Sequence, residues 1–374
     1  MAWRDLSIMD QRREFVLLAT LEGANISQLC ARFGISRQTG HVWLKRLQAG
    51  EPVADRSRRP HSSPRRTSDD LERSVLDIRD EHPAWGARKI ARRLQDIGLE
   101  PPSASTVHAI LGRHDRIGPQ TKDAIASGHF EREAPNLLWQ MDFKGRIQLT
   151  CGSWCHPLTI IDDHSRFAIG IEACLDEQLL TVRGRLETIL RRYGLPMAIY
   201  CDNGTPWGTG MPGHWTRLRV WLLKLGIDLI HSRPYHPQGR GKNERFHRSF
   251  KAELLDFAVL SGQAQAQRAF DRWREIYNHH RPHQAIGMSV PASRYTPSLR
   301  PFPKHLPEPV YDSSEIVRCV SSTKGYVSFK GRTWRVPNAF RSEKVAVRTL
   351  DRDGLHGVFF GATKIAEIDL SNPT

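Results

Sequence analysis

Apolar residues recur at helical spacing through the N-terminal part of the chain. Between residues 9 and 48 they predict three short helices, with a tight turn over residues 33–36 before the third. Ser36 is a favourable N-cap for that helix, because its hydroxyl can accept a hydrogen bond from a free backbone N–H. This pattern indicates a helix-turn-helix unit over residues 1–50, although any small helical bundle would show a similar periodicity.

A second set of three helices is predicted over residues 67–114. A turn again precedes the last of them, so we interpret this segment as a second helix-turn-helix unit. Two units in tandem suggest recognition of an extended DNA site. Such units read base edges near the start of the last helix. The residues predicted to do so are Arg37, Gln38 and His41 in the first unit, and Ser105, Thr106 and His108 in the second.

Two segments without hydrophobic periodicity flank the second unit. Residues 51–66 form a linker in which arginines are interleaved with prolines, and residues 115–136 form a connector. The linker cannot bury a core, but it can follow a phosphate backbone; the alternative is a solvated spacer. The linker arginines predicted to contact DNA are Arg58, Arg59, Arg65 and Arg66.

From residue 137 the pattern changes to strands and helices. Five strands are predicted, at 138–149, 157–162, 167–173, 197–201 and 227–231. Helices separate the last three strands, and a long helix over residues 239–257 follows the fifth. This order predicts a ribonuclease-H-like α/β core over residues 137–262 with a mixed five-stranded sheet, followed by a helical tail over residues 263–300.

Beyond residue 310 apolar and polar residues alternate with the period of two that is typical of β-strands. Six short strands are predicted, at 316–320, 326–329, 333–336, 345–348, 358–360 and 364–368. The glycine-containing pairs Lys330-Gly331 and Asp353-Gly354 are favourable hairpin turns. Residues 310–372 are therefore predicted to form a small β-barrel or sandwich, and the whole chain is predicted to be a multidomain α+β protein.

The chain is strongly basic, which changes what these domains are expected to bind. It has 55 lysines and arginines against 40 aspartates and glutamates, a formal net charge of +15. A surplus of this size favours a polyanionic partner, because phosphate contacts release counterions and steer association. No apolar run approaches the roughly 18–20 residues of a membrane span, so we expect a cytoplasmic protein without a membrane partner.

Three carboxylates are distinctive within the α/β core. Asp142 lies inside the first predicted strand, where a lone carboxylate is costly to bury. Asp202 ends the fourth strand, which neighbours the first in a ribonuclease-H-like sheet, and a divalent cation would relieve the repulsion between the two charges. Glu244 begins the long helix that should pack at that edge. Taken singly, Asp202 would suggest a turn, and Glu244 would suggest a charge that favours the helix dipole. Taken together, the three carboxylates predict one metal site.

This set of ligands determines the metal that we expect. Carboxylates with few nitrogen or sulfur ligands suit Mg²⁺ or Mn²⁺. Two such ions can activate an attacking oxygen and stabilise the leaving oxygen of a phosphodiester. We therefore predict that Asp142, Asp202 and Glu244 are catalytic and bind two ions. Asp162 and Asp163 are rival carboxylates, which we interpret as a turn, with Asp162 able to hydrogen-bond near the site.

Each of the three carboxylates lies within a short sequence motif, and a further motif follows them in the chain. The motifs are WQMD ending at Asp142, DNG starting at Asp202, YHPQGRGKNERFHRSFK over residues 235–251 and YNHHRPHQA over residues 277–285. Over residues 137–297 the chain resembles the integrase catalytic core of bacterial insertion-sequence transposases related to retroviral integrases, which use an Asp–Asp–Glu (DDE) triad. The resemblance implies nicking at transposon ends and then strand transfer, with the carboxylate roles carried onto Asp142, Asp202 and Glu244.

The interval between Asp202 and Glu244 is a little longer than is usual in that family. The extra residues fall in a glycine- and proline-rich segment over residues 206–213. We expect this segment to be a DNA-contacting loop or a flexible flap.

The long helix carries two further residues of interest. Arg248 and Lys251 follow Glu244 at i+4 and i+7, so the three share one helix face. We predict that both cations contact DNA beside the metal ions; the alternative is an ordinary surface ion pair. His236 and Gln238, on the loop before the helix, are predicted to contact the terminal nucleotides.

The predicted function is that of an insertion-sequence transposase. The helical units would bind the terminal inverted repeats of double-stranded DNA, the core would cut and join, and the β domain would add DNA or subunit contacts. Because two DNA ends must be held together, we expect a homo-oligomer, at least a dimer, associated with the nucleoid. Two alternatives are a DNA-binding regulator with a silent core and a ribonuclease-H-type nuclease acting on RNA–DNA hybrids.

Overall fold

A computed structural model of the chain describes residues 7–55, 66–118, 131–211, 213–232 and 241–371. Arg58, Arg59 and Arg65 of the linker, and His236 and Gln238 before the long helix, lie outside the described residues. The chain divides into two compact units, Met1–Arg66 and Thr67–Thr374, and we describe each by itself.

The first unit is a bundle of three helices, α1 (Ile8–Ala19), α2 (Ile26–Arg32) and α3 (Arg37–Gln48). Each helix begins at a side-chain cap; at α3 the Ser36 hydroxyl accepts a hydrogen bond from the Thr39 N–H. Gly40 of α3 packs against the core, where a Cβ would lie 2.6 Å from the Cys30 Sγ, so glycine permits this close approach. The predicted three-helix unit is confirmed.

The second unit opens with three more helices, α4 (Asp69–Glu81), α5 (Ala87–Asp96) and α6 (Ala104–Arg113). Their apolar faces enclose Trp85, which is almost fully buried. The carboxylate of Glu72 on α4 lies 2.9 Å from the Arg113 guanidinium and 2.8 Å from the His114 ring, which joins the first helix of the set to the end of the third. The second predicted helical unit is likewise confirmed.

The core sheet contains β1 (Trp139–Phe143), β2 (Ile147–Gln148), β3 (Trp154–Asp162), β4 (Ala168–Cys174), β5 (Ala198–Cys201) and β6 (Asp228–His231). Its order is β2-β3-β1-β5-β6, with β4 also paired to β3. β3 is antiparallel to β1, β2 and β4, whereas β1, β5 and β6 are parallel. The mixed sheet is as predicted, except that a turn with Gly145 at φ 90° divides the first predicted strand into β1 and β2.

The helices of the core are α7 (Leu179–Tyr193), α8 (Arg217–Lys224), α9 (Gly241–Phe250) and α10 (Gln263–His279). α7 and α8 pack on one face of the sheet, together with the side chains of Trp139 and Met141. α9 and α10 pack on the other face. Because side chains alternate along a strand, Gln140 and Asp142 of β1 belong to the face that α9 and α10 cover.

The α-helix that carries Glu244 is shorter than predicted. α9 ends at Phe250 and is followed by one π-helical turn, Lys251–Leu255. In this turn both carboxylate oxygens of Glu253 accept hydrogen bonds from the Arg281 Nε–H, at 2.8 and 3.0 Å. The helix face therefore does not continue beyond Lys251 as one regular α-helical surface, because the wider turn places Glu253 against Arg281.

The tail beyond α10 returns to the core. It contains two 3-10 turns, Gln284–Ile286 and Pro291–Arg294. The Arg300 guanidinium then donates hydrogen bonds of 2.8 to 2.9 Å to the carbonyl oxygens of Pro196 and Leu225. The tail is thereby fastened to the segments that lead into β5 and β6.

The C-terminal part has six strands, β7 (Ile316–Cys319), β8 (Tyr326–Phe329), β9 (Arg332–Arg335), β10 (Lys344–Thr349), β11 (Leu355–Phe360) and β12 (Thr363–Asp369). They form a four-stranded antiparallel sheet, β12-β11-β10-β7, and the β8–β9 hairpin, around one apolar core. The six predicted strands are confirmed. In the part of the chain that the structure describes, their pairing does not close the predicted barrel.

An aromatic contact and an ion pair are among the contacts that join the C-terminal sheets to the core. The Trp215 and Phe340 rings meet edge to face at 5.0 Å, and the Lys224 Nζ lies 2.7 Å from a carboxylate oxygen of Glu343. The sheets therefore pack on α8. None of the described helices is long and apolar enough to cross a membrane.

Candidate active site

The sheet register places two of the predicted carboxylates next to each other. In the parallel β1–β5 pair, Gln140 lies opposite Tyr200. Continuing that register by two residues sets Asp142 opposite Asp202, which directly follows β5. Neighbouring strands are about 4.8 Å apart, so the two residues occupy adjacent positions at one end of the parallel strands.

A histidine on α9 contacts the strand pair that carries Asp142. This histidine is His247, and its Nε2 lies 2.7 Å from the hydroxyl of Thr159. Thr159 on β3 is paired with Asp142 on β1. The same hydroxyl donates a 2.9 Å hydrogen bond to the Asp142 carbonyl oxygen. Because its one hydrogen is thus used, the Nε2–H of His247 must be the donor to Thr159.

The tautomer of His247 follows from this bond. In the neutral ring Nδ1 carries no hydrogen, and it lies 4.0 Å from the Asp142 Oδ2. The side chain is only 12 % exposed, and this burial, helped by the charge of Lys144, lowers the pKa of His247 to about 4. A neutral imidazole beside Asp142 adds no charge to the site at neutral pH.

Glu244 lies on α9 three residues before His247, so both belong to one side of the helix, one turn apart. The Glu244 side chain is exposed, whereas its neighbour Asn243 is buried and its Oδ1 has no hydrogen-bond partner in the structure. Among the described residues, no three histidine, cysteine, aspartate or glutamate side chains lie close enough to hold a metal ion. Glu244 is therefore one helical turn away from His247, which contacts Thr159. In the structure, Glu244 does not complete a set of metal ligands with Asp142 and Asp202.

The chemistry of these side chains fits a hard divalent cation. The available donors are carboxylate oxygens and one nitrogen, the Nδ1 of His247, whereas the thiol next to Asp202, that of Cys201, is buried in the apolar core. The Asp142 side chain is 26 % exposed, which leaves room for water. Mg²⁺ and Mn²⁺ prefer oxygen donors, and Mg²⁺ usually keeps several waters, so the residues present suit either ion.

The part of the glycine- and proline-rich segment that the structure describes before residue 212 is held to the core. The Asn203 Oδ1 accepts a 3.1 Å hydrogen bond from the Gly210 N–H. Trp207 is 2 % exposed and stacks on Phe143, with ring centroids 5.5 Å apart. Opening the segment would expose the Trp207 ring, so this packing favours a fixed loop over a flexible flap.

The two rival carboxylates organise the turn between β3 and β4. Asp162 accepts hydrogen bonds from the N–H and the hydroxyl of Ser165, and burial raises the pKa of its carboxyl. Asp163 accepts hydrogen bonds from Gln140 and Lys242. Both carboxylates are fully buried; Asp163 lies in the predicted turn, whereas Asp162 is the last residue of β3.

Most of the residues predicted to contact DNA lie on the surface where they are described. The exposed ones are Arg37, Gln38, His41, Arg66, Ser105, His108, Arg248 and Lys251. The hydroxyls of Ser105 and the half-buried Thr106 lie 2.8 and 2.9 Å from that of Ser103, the N-cap of α6. These two hydroxyls therefore take part in capping the helix on which they lie.

Five family models match successive parts of the chain. A helix-turn-helix domain matches residues 11–61, and a homeodomain-like domain matches residues 39–111. Two integrase core domain models match residues 132–237 and 225–291. The C-terminal domain of IS481 family transposases matches residues 315–374. By these matches the chain is similar to proteins of the transposase and integrase class, with helix-turn-helix segments before an integrase core.

Individual relatives agree with this class. The chain is 26 % identical over 282 residues to the 31.7 kDa protein of insertion element IS407 from Burkholderia multivorans, a match that covers 73 % of this chain and 92 % of that protein. The predicted resemblance to bacterial insertion-sequence transposases with a retroviral-integrase-like core is thereby confirmed.

Two solved structures align with parts of the chain. The simian T-cell lymphotropic virus intasome aligns over 80 % of this chain and 96 % of that chain, with a TM-score of 0.40 and 15 % identity. The HTLV-2 integrase catalytic core, solved in complex with magnesium, aligns over 43 % of this chain and 97 % of that chain, with a TM-score of 0.32 and 16 % identity.

Reasoning from the sequence assigned no role to His247 or Lys242, although both lie in the motif over residues 235–251. The i+3 spacing of His247 from Glu244 was an available signal, because it puts both residues on one side of the helix. For Lys242 the sequence held no comparable signal, because its partner Asp163 is 79 residues away in the chain.

Proposed function

We propose that this protein is a DNA transposase that binds the terminal inverted repeats of a mobile element and catalyses Mg²⁺-dependent nicking and strand transfer by in-line phosphoryl transfer. The register of β1 and β5, which brings Asp142 beside Asp202 when it is continued by two residues, is the observation that supports the proposal. Two carboxylates at adjacent positions on a basic protein favour a divalent cation between them. Glu244, on the helix that contacts this strand pair, supplies the third.

Asp142, Asp202 and Glu244 would hold Mg²⁺ or Mn²⁺, in one or two ions. When bound, the metal would activate the attacking oxygen and stabilise the leaving oxygen of the phosphodiester. His247 would position Asp142 without binding the metal. Its hydrogen bond to Thr159 fixes the backbone of β1 and β3 at Asp142.

Two cations on the same helix would hold the DNA backbone near the carboxylates. Arg248 lies four residues after Glu244, and Lys251 follows at the start of the π turn; both are exposed. The Lys251 Nζ lies 3.9 Å from a carboxylate oxygen of Asp256. A surface ion pair of this kind contributes little free energy, so a phosphate would compete with it readily.

In this proposal the helical units at 1–50 and 67–114 recognise the DNA ends. The residues that read them would be Arg37, Gln38, His41, Ser105, Thr106 and His108, with the phosphate backbone held by Arg58, Arg59, Arg65 and Arg66 and the terminal nucleotides by His236 and Gln238. The core at 137–262 would cut and join, and the β domain at 310–372 would add DNA or subunit contacts. A homo-oligomer, at least a dimer, would hold the two ends of DNA together within the nucleoid.

The test replaces each carboxylate by its amide, in Asp142→Asn, Asp202→Asn and Glu244→Gln. Each variant is expected to keep its binding to an end-containing duplex and to lose Mg²⁺-dependent nicking and joining. The matched control is Asp271→Asn, which removes an exposed carboxylate on α10 and should leave both activities unchanged. Cleavage retained by any of the three variants would remove that residue from the proposal.

The same assay separates the proposed function from its alternatives. A wild-type protein that binds end DNA with Mg²⁺ present but neither nicks nor joins it would be a DNA-binding regulator. A protein that cuts an RNA–DNA hybrid in preference to the duplex would be a ribonuclease-H-type nuclease.

A further inference from the structure

We propose that the buried ion pair between Asp163 and Lys242 is a positioning device that holds α9 against the sheet and so sets the place of Glu244. The inference rests on the proposed function, because it concerns the third metal ligand of that site.

The carboxylate of Asp163 is fully buried and makes three hydrogen bonds. Its Oδ1 accepts from the Lys242 Nζ at 2.5 Å and from the Gln140 Nε2 at 2.7 Å. Its Oδ2 accepts from the backbone N–H of Arg132 at 2.8 Å. A charge without solvent contact needs such partners, because an uncompensated buried charge is strongly destabilising.

These bonds join the two elements that carry the proposed metal ligands. Gln140 is on β1, two residues before Asp142 and on the same face of the sheet. Lys242 is on α9, two residues before Glu244. One oxygen of Asp163 therefore links the strand of the first carboxylate to the helix of the third.

The charges around the pair show why a neutral residue at position 163 should release Lys242. The Arg166 guanidinium donates a 3.0 Å hydrogen bond to one oxygen of Glu131, and Arg294 donates a 2.6 Å bond to the other. This network therefore contains two carboxylates, those of Asp163 and Glu131. It contains three cations, those of Lys242, Arg166 and Arg294. Without the Asp163 charge, cations are in larger excess, and repulsion would displace the most flexible of them, Lys242.

Asp162 provides a matched control, because it is adjacent, equally buried and of the same chemical type. Its hydrogen bonds run to Ser165 and to the backbone N–H of Asn136, so none of them reaches α9. A general loss of stability in this turn should appear in Asp162→Asn as well, whereas loss of the link to α9 should appear only in Asp163→Asn.

The experiment compares full-length wild type, Asp163→Asn, Asp162→Asn and the conservative Lys242→Arg. Mn²⁺ binding is measured from the electron paramagnetic resonance signal of the free ion, and hydrogen exchange of the α9 amides is measured by mass spectrometry. Asp163→Asn is expected to weaken Mn²⁺ binding about tenfold, the low end of the loss seen when a direct hydrogen-bond partner of a metal ligand is removed, because Asp163 acts on Glu244 only through α9, and to speed exchange in α9. Asp162→Asn and Lys242→Arg should retain wild-type values of both.

Should Asp163→Asn fail to fold, the double variant Asp163→Asn/Lys242→Met removes both charges of the pair and should show the same weakening of Mn²⁺ binding. Wild-type Mn²⁺ affinity and α9 exchange in the folded variant would overturn the proposal, and so would equal acceleration of exchange in Asp162→Asn. If wild type binds no Mn²⁺, the proposed function fails, while faster α9 exchange confined to Asp163→Asn would still support the anchoring role.

Discussion

Replacing His247 by leucine tests whether the ring fixes the strand pair at Asp142. The variant loses the 2.7 Å hydrogen bond to Thr159, which is worth about 1 kcal/mol of folding free energy. The cost to stability should stay near that value, because the Thr159 hydroxyl keeps its own acceptor, the Asp142 carbonyl oxygen. The cost to catalysis should be larger, since loss of a residue that supports a metal ligand typically lowers activity about 10- to 100-fold.

The assay measures two quantities on the same protein. The single-turnover rate of nicking at saturating Mg²⁺ gives the effect on catalysis, and urea unfolding gives the effect on stability. Thr159→Val removes the same hydrogen bond and also the bond to the Asp142 carbonyl oxygen, so it should lower the rate by at least as large a factor. The double variant should lose less than the sum of the two single losses, because both changes remove one interaction.

The pH dependence of the rate is part of the same prediction. Because the pKa of His247 is about 4, the ring is neutral in the folded protein across pH 5.5 to 8, and its titration should leave no step in the rate within that range. A wild-type nicking rate in His247→Leu, or fully additive losses in the double variant, would refute the reasoning.

Two further predictions concern stability. Trp207→Ala should lower the free energy of unfolding in urea by about 3–5 kcal/mol, because it empties a buried aromatic site in the core. The control Met211→Ala, on the exposed part of the same loop, should lower it by less than about 0.5 kcal/mol. A loss below about 1 kcal/mol for Trp207→Ala would mean that the loop is not held by this ring. Burial, together with the charge of Arg281, lowers the pKa of His283 to about 3, while the unfolded value is about 6.5. Since the unfolded state takes up a proton that the folded state does not, this residue should reduce stability by about 2 kcal/mol between pH 7 and pH 5, and His283→Leu should remove that part of the pH dependence. An unchanged difference between the two pH values in His283→Leu would contradict this account.

Local pattern was sufficient for most of the elements. The three helices of each helical unit follow from apolar spacing and from caps such as Ser36, because those signals lie within a few residues of the helix they define. The break between β1 and β2 was missed, since the apolar pattern continues through Gly145, whose positive φ ends the first strand. The end of α9 at Phe250 was also missed; in the π turn that follows, Glu253 binds Arg281, a residue that lies beyond α10 in the chain.

For the candidate site, too, some features follow from the sequence and others only from the tertiary structure. The sequence by itself determined the residue types, since Asp142, Asp202 and Glu244 each stand in a motif that marks a strand, a strand end or a helix. The tertiary structure alone decided which groups support them. His247 meets Thr159 across 88 residues, and Lys242 meets Asp163 across 79. Such pairs carry no local signature, because they form only when the sheet and α9 pack together and leave buried polar groups that must find partners.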